Sequence, residues 1–199
     1  MSEQDEKPTL WFVRHGESTW NAAAIVQGQA DGPVLTAKGR REATRAAEQL
    51  HKVRVSAIYT SDLERAHETA AIIGHALRLP LHYERGLRER NFGQAQGRPL
   101  HELSPAASGI DDGRVVDADA RPAGGESVRE LYERVRSFID QAEASHGGMD
   151  VVVVTHGGVI RVAQAYNDGV GPDAMAWGPV ANASVWNLGR PQPAVAVVP

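Results

Sequence analysis

The sequence predicts a three-layer α/β/α sandwich around a mostly parallel central sheet. Three observations carry this expectation. Strand-like apolar runs alternate with helix-like stretches along the 199-residue chain. The run Val151–Val154 is all valine, as in a strand buried on both faces of a parallel or mixed sheet. From about residue 126 to 146, Val128, Leu131, Tyr132, Val135, Phe138 and Ile139 recur at i, i+3, i+4 and i+7, the stripe of a helix packed on a core.

The elements follow in order. Residues 10–14 read as a central strand, and the polar run 16–35 as a long loop with one short helical turn. Thr36 is a candidate N-cap for a helix over about 37–51, whose alanines and Leu50 form a small apolar face. Val55–Tyr59 reads as a short strand. Ser61 is a candidate cap for the next helix, where Ala66, Ala70, Ile73 and Leu77 repeat at helical spacing. Pro80 breaks the chain before a third strand, Leu81–Tyr83. The stretch 91–123 is rich in Gly and Pro and has no convincing strand, so it reads as a covering segment of short helical pieces over one end of the sheet. Gly147-Gly148 ends the amphipathic helix, and a further helix is expected from about Gly158 to Tyr166. Asn167–Trp177 reads as a loop bordering the mouth of a site. Ala183–Leu188 and Ala194–Val198 read as late strands, paired antiparallel across Gly189-Arg190-Pro191, with Pro193 confining the last to an edge. No linker or internal repeat divides the chain, so residues 1–199 are read as a single domain.

Composition narrows the function. The chain has no cysteine, which excludes disulfides, thiolate metal sites and cysteine nucleophiles. The net charge is −4 and no lysine-rich block is present, which argues against a nucleic-acid groove. Met1–Pro8 is polar and acidic, unlike an export signal, and no apolar run is long enough to cross a bilayer. The expectation is a cytoplasmic protein without nucleic-acid or membrane partners. Trp11, Trp177 and Trp186 fit internal packing or an interface; internal packing is the commoner case, and a homodimer stays open.

Twice a strand-like run ends directly in a histidine and a glycine: Arg14-His15-Gly16 after Leu10–Val13, and His156-Gly157-Gly158 after Val151–Thr155. Open α/β sheets bind ligands at their strand ends. A guanidinium fork matches phosphate oxygens, a neutral imidazole can attack phosphorus, and Gly16 leaves room for a close approach. Arg65, early in the helix after the second strand, can reach the same crevice; the plainer alternative is a surface pair with Asp62 or Glu68. Glu89, after the third strand, can donate a proton to a leaving oxygen and later take one from water, or be a solvent-exposed glutamate in a charged run. His156 ends an apolar strand and needs a partner or a ligand. No carboxyl groups cluster with histidines at metal-ligand spacing, so no metal is expected. A nicotinamide-binding reading fails because no Gly-x-Gly-x-x-Gly follows the first strand.

Six blocks in this order resemble the histidine phosphatase superfamily, the phosphoglycerate mutase-like family, in its small cofactor-independent phosphatase branch. They are Arg14-His15-Gly16-Glu17-Ser18, Leu35-Thr36-x-x-Gly39, Ser61-Asp62-Leu63-x-Arg65-Ala66-x-x-Thr69-Ala70, Leu87-x-Glu89-x-x-Phe92-Gly93, Gly124-Gly125-Glu126-Ser127 and Val153-Val154-Thr155-His156-Gly157-Gly158. The resemblance covers about residues 9–188. It implies a phosphoglycerate mutase-like fold, with His15 as nucleophile and Glu89 as general acid and then base. It also implies that Arg14, Arg65 and His156 hold the phosphoryl oxygens. Asn21 and Gln27 match loop positions that touch phosphate or substrate. Ser61 and Glu17 match support positions, and Gly157 is taken to line the substrate pocket. No cofactor is implied. Arg88, with Arg90 and Arg98, is a candidate for reading a second negative charge on the substrate, against simple surface solvation. The expected activity is hydrolysis of a small phosphorylated metabolite through a phosphohistidine. The alternatives are a 2,3-bisphosphoglycerate-dependent phosphoglycerate mutase and an inactive phospho-ligand binding protein. Arg90-Asn91-Phe92-Gly93 after Glu89 is the phosphatase-like pattern. The segment 94–123 has only Arg98, Arg114 and Arg121 as cations and lacks the basic insertion of the mutases. Gln94-Ala95-Gln96-Gly97 departs from the Trp-Glu-Gly type of ending common in the family.

Overall fold

The computed structural model describes residues 8–188. In chain order the elements are β1 (Thr9–Arg14), α1 (Thr19–Ala22), α2 (Ala37–Leu50), β2 (Val55–Thr60), α3 (Glu64–Leu77), β3 (Leu81–Tyr83), α4 (Pro105–Ser108), β4 (Ile110–Asp111), β5 (Arg114–Val115), α5 (Val128–Ser145), β6 (Asp150–Thr155), α6 (Gly157–Asn167) and β7 (Val185–Leu188). Five strands form one sheet in the order β3-β2-β6-β1-β7. All neighbours are parallel except β7, which runs antiparallel to β1.

Strand alternation sorts the core into two layers. Leu10, Phe12, Val151 and Val153 face α5 and α6; Val13, Ile58, Val152 and Val154 face α2 and α3. The valine run of β6 is therefore buried on both faces, and the architecture is the expected α/β/α sandwich. Helix α5 buries its whole predicted stripe, each large apolar side chain contributing about 1.5–3 kcal/mol. Its start is set by a capping box: Ser127 Oγ accepts from Glu130 N at 3.1 Å while Glu130 Oε2 accepts from Ser127 N at 2.9 Å. Thr36 caps α2 through Gly39 N. The three tryptophans singled out in the sequence all find partners within the chain: Trp11 Nε1 donates to Asp150, Trp186 Nε1 donates to Ser184, and Trp177 lies under the Arg161 guanidinium.

Two expectations need correction, and a third reaches beyond the described residues. Ser61 does not cap α3. The helix begins after Leu63, where no side chain caps it, and the Ser61 hydroxyl meets His156 instead. The stretch 91–123 carries a small hairpin, β4 with β5, besides its helical pieces. The late strand that is described pairs with β1; the expected partner, Ala194–Val198, lies outside the described residues, as does most of the acidic N-terminal stretch.

Arg90 organises the 91–123 stretch. It is 0 % exposed, and its guanidinium donates to the carbonyls of Glu126 (2.7 Å), Ser108 (2.6 Å) and Ala120 (3.0 Å). This removes it as a reader of substrate charge. Burial pushes its pKa down to about 10, so it stays charged at neutral pH. The stretch is also sewn to the loop after β1, where Val26 N donates to Arg98 O and Gly97 N to Val26 O, both at 2.9 Å. Gln96 takes part: its Oε1 accepts from Gln29 N at 2.7 Å, so the departure at residues 94–97 supplies a tether.

Arg90→Met keeps much of the volume but strands three buried carbonyls. The expected loss is about 2–4 kcal/mol in urea unfolding. A loss below about 0.5 kcal/mol, the range of an ordinary surface change, would contradict this role.

Candidate active site

The ladder places three strand ends side by side. Arg14 pairs with Thr155 and Thr60 with Val154, so β2, β6 and β1 finish at one level. Each chain then makes one more ladder bond, His15 N to Thr155 O (2.9 Å) and Ser61 N to Val154 O (3.0 Å). His15, Ser61 and His156 are thereby adjacent and buried, with the two imidazole centroids 5.2 Å apart. Arg65, in the first turn of α3, is 1 % exposed and points inward. It is not the surface ion pair considered as the alternative: Asp62 pairs with Arg88, and Glu68 with Arg40.

The protonation states follow from the hydrogen bonds. His15 Nδ1 lies 2.7 Å from Gly16 O, an acceptor only, so Nδ1 carries the proton and Nε2 keeps its lone pair. Burial lowers the His15 pKa well below its ordinary 6.5, and Arg65 and Arg14 lower it further. His156 is depressed likewise, by burial first and then by Arg65 and His15. Ser61 Oγ accepts from Leu63 N (3.3 Å), which leaves its hydroxyl proton to donate to His156 Nε2 at 2.9 Å. A neutral His156 then presents Nδ1–H. Among the described residues, Arg14 Nε, Arg65 Nε and His156 Nδ1 are buried without a hydrogen-bond partner. Such donors suit a multiply charged anion. Arg65 Nη2 and Nη1 each place one N–H on a carbonyl, Gly28 O (2.6 Å) and Ala30 O (3.3 Å), while Nε has no partner.

Glu89 offsets the charges of Arg14 and Arg65. Its Oε1 accepts from Arg90 N (2.8 Å) and its Oε2 from Gly158 N (3.1 Å). A β-carbon on Gly158 would lie 2.1 Å from Glu89 Oε1, so only glycine lets the helix start this close to the carboxylate. Thr155 Oγ1 donates to Leu87 O at 2.7 Å and ties the Glu89 segment to β6. Gly16 has a different use from the one expected. A β-carbon there would meet Gly39 O at 2.3 Å, so the room it leaves is taken by α2. Glu17 grips that same helix, accepting from Thr36 Oγ1 and Lys38 Nζ.

The outer candidates divide. Asn21 Oδ1 accepts from Ser18 N and Asn182 Nδ2, and Gln27 Oε1 accepts from Ser18 Oγ at 2.8 Å, so both sit in the turn beside His15. Gly157 lies between the Arg14 and Arg161 side chains. The Arg88 fork is held by Asp62 at 2.6 and 2.7 Å. Sequence reasoning missed several groups. Val180 O accepts from Arg14 Nη1, and Asn182 Nδ2 donates to His15 O (3.2 Å), so the loop before β7 closes over β1. Arg134 donates to Gly86 O (2.7 Å) and Glu89 O (3.0 Å) while clamped by Glu126. Arg161 also faces the site. Only Arg161 left a sequence signal, four residues after Gly157 and so on one face of the helix that His156 begins.

A mostly parallel sheet ending in buried, unpartnered arginine and histidine donors around a neutral imidazole defines the class of a phosphoryl-transfer enzyme of the histidine type. The chain belongs to the histidine phosphatase superfamily (branch 1), which it matches over residues 10–196. It is 42 % identical over 165 residues to phosphoglycerate mutase-like protein 4 of Arabidopsis thaliana, covering 80 % of this chain and 71 % of that one. It is 39 % identical over 163 residues to a metal-independent phosphoserine phosphatase of the same plant, covering 79 % and 68 %. Among solved structures it resembles a mycobacterial glucosyl-3-phosphoglycerate phosphatase in complex with VO3, with TM-score 0.79, 32 % identity and coverage of 89 % and 90 %.

The two depressed histidines link stability to pH. In the unfolded chain each titrates near 6.5, whereas the folded protein holds both neutral to lower pH. Above 6.5 neither site takes up a proton on unfolding. Below it unfolding takes up protons, so stability falls with pH, by up to about 1.4 kcal/mol per unit per histidine. Urea unfolding between pH 7 and 5 is expected to be steeper in the native protein than in His15→Gln; parallel profiles would refute the assignment.

Proposed function

We propose that this enzyme hydrolyses a small phosphomonoester through a phosphohistidine on His15. The observation that carries the reading is the 2.7 Å hydrogen bond from His15 Nδ1 to Gly16 O, which leaves Nε2 free among unpartnered donors. In the first step Nε2 attacks phosphorus and the P–O ester bond breaks. Glu89 gives its proton to the departing oxygen. In the second step Glu89 takes a proton from water as that water attacks phosphorus, and phosphate leaves with His15 restored. Arg14 Nε, Arg65 Nε and His156 Nδ1–H bind the equatorial oxygens, where charge gathers in the transition state. Asn21 and Gln27 border the pocket, Ser61 orients His156, and 91–123 covers the site.

Hydrolysis is favoured over mutase chemistry by the cations of the covering segment. Arg98 is exposed beside Glu102, Arg121 pairs with Glu130, and Arg114 is exposed. None is set to grip the second anion of a reorienting bisphosphate. The mutase reading draws on the name of the 42 % identical plant relative. Phosphoserine and glucosyl-3-phosphoglycerate, named for two of the similar proteins, are the first substrates to try.

His15→Ala is expected to abolish both phosphate release and the phosphoenzyme trapped by rapid quench. Glu89→Gln is expected to lower kcat by about 10²–10⁴. A panel of phosphomonoesters should yield phosphate without a bisphosphorylated primer. Primer-dependent isomerisation of phosphoglycerate with no phosphate release would sink the hydrolase reading, and full activity in His15→Ala would sink the nucleophile.

A further inference from the structure

Arg161 is a buried-side cation that the proposed chemistry does not use. It lies one turn into α6, on the face that begins at Gly157. Its Nε donates to Gly178 O at 2.6 Å, and its guanidinium stacks on the Trp177 ring, 5.0 Å from the centroid. These two contacts fix the plane of the fork. Neither terminal nitrogen has a hydrogen-bond partner among the described residues.

The fork points at the site. Arg161 Nη1 and Arg14 Nε lie 3.1 and 3.7 Å from the point that a β-carbon on Gly157 would occupy. The two cations therefore flank the same glycine, next to His156. Burial lowers the affinity of Arg161 for its proton, and Arg14 lowers it further. Glu89 is the carboxylate whose charge opposes this, and it makes no ion pair with Arg161 among the described residues. Its two oxygens accept from backbone amides instead.

Charge balance then separates Arg161 from the phosphoryl ring. Arg14 and Arg65 match the two charges of a bound phosphate monoester dianion. Glu89 is protonated when it acts as the acid, so it leaves Arg161 unopposed. Holding a third guanidinium part-buried beside two others is unfavourable without an anion to meet it. A rigid, planar fork with two free nitrogens suits a carboxylate or a second phosphate.

We propose that Arg161, held by Trp177 and Gly178, is a specificity-determining residue that binds a second anionic group of the substrate close to the phosphate ester. This rests on the phosphomonoesterase reading above and names its substrate class: phosphorylated organic acids or bisphosphates rather than neutral phosphate esters. The subsite lies on α6 and the loop after it, so it is formed by the sheet scaffold and not by the covering segment.

The test uses 3-phosphoglycerate and glycerol 3-phosphate, which differ by a carboxylate in place of a hydroxymethyl group. Both are titrated calorimetrically into His15→Ala and into His15→Ala/Arg161→Gln, and kcat/KM is measured for the native enzyme and Arg161→Gln. The native side chain is expected to favour 3-phosphoglycerate by about 10- to 100-fold, the worth of one charge-assisted pair, and Arg161→Gln to remove that preference. Arg161→Lys should restore part of it, since it keeps the charge but not the fork. Equal loss for both ligands, an unchanged preference, or no binding of either would overturn the proposal. Failure of the hydrolase reading looks different: discrimination in binding would persist while the native enzyme releases no phosphate.

Discussion

The parallel ladder joining β2, β6 and β1 is the constraint on which the site depends. Because these strands end in register, residues from positions 14–15, 61 and 155–156 emerge side by side on a rigid edge. Loops could not hold two buried imidazoles this close with comparable precision. The α5 and α6 layer on one face and the α2 and α3 layer on the other lock the ladder, so the site inherits the stability of the core.

Given that edge, the dominant physical problem is positive charge. Arg14, Arg65, Arg90 and Arg161 all have their pKa lowered by burial. Two remedies are visible. Arg90 is surrounded by three backbone carbonyls and serves as a structural pin. Arg14, Arg65 and Arg161 are each only partly satisfied by carbonyls: Arg14 Nε and Arg161 Nη1 lie beside Gly157, and Arg65 Nε is buried without a partner. The difference marks fold from chemistry: a cation that has used its hydrogen bonds stabilises, while one held short of them is ready for an anion. Burial and, after it, the same positive charges lower the pKa of His15 and His156 well below the ordinary 6.5.

Backbone carbonyls and glycines do much of the positioning. Glu89 is reached through Arg134 and Gln29, both donating to its carbonyl, and through Thr155, which holds Leu87. Its carboxylate lies against Gly158 with no space for a side chain. Gly16 and Gly39 let two backbones touch, and this sets the entry of the chain into the loop that carries Asn21 and Gln27. Residues far from the reacting atoms thus control a geometry in which small displacements matter.

Periodicity made the helices and strands of the sandwich legible: the valines of β6, the stripe of α5 and the cap at Thr36 act locally, so their consequences can be read locally. The strand-end residues Arg14, His15 and His156 were legible for the same reason, since a polar group ending an apolar run has few places to go. The cap expected of Ser61, the ligand space expected of Gly16 and the substrate role considered for Arg90 each went elsewhere. In each case a partner distant in sequence, respectively His156, Gly39 and the carbonyls of 108, 120 and 126, competed for the group and won. What the sequence by itself determined is the three-layer sandwich and the type of chemistry, because hydrophobic spacing and functional-group identity are properties of the chain. Which arginine is spent on carbonyls and which keeps an unpartnered nitrogen, which nitrogen of each histidine is free, and that Arg161 lies beside Gly157 with Arg14, were decided only by tertiary structure. Hydrogen-bond satisfaction and burial depend on neighbours that sequence spacing does not specify.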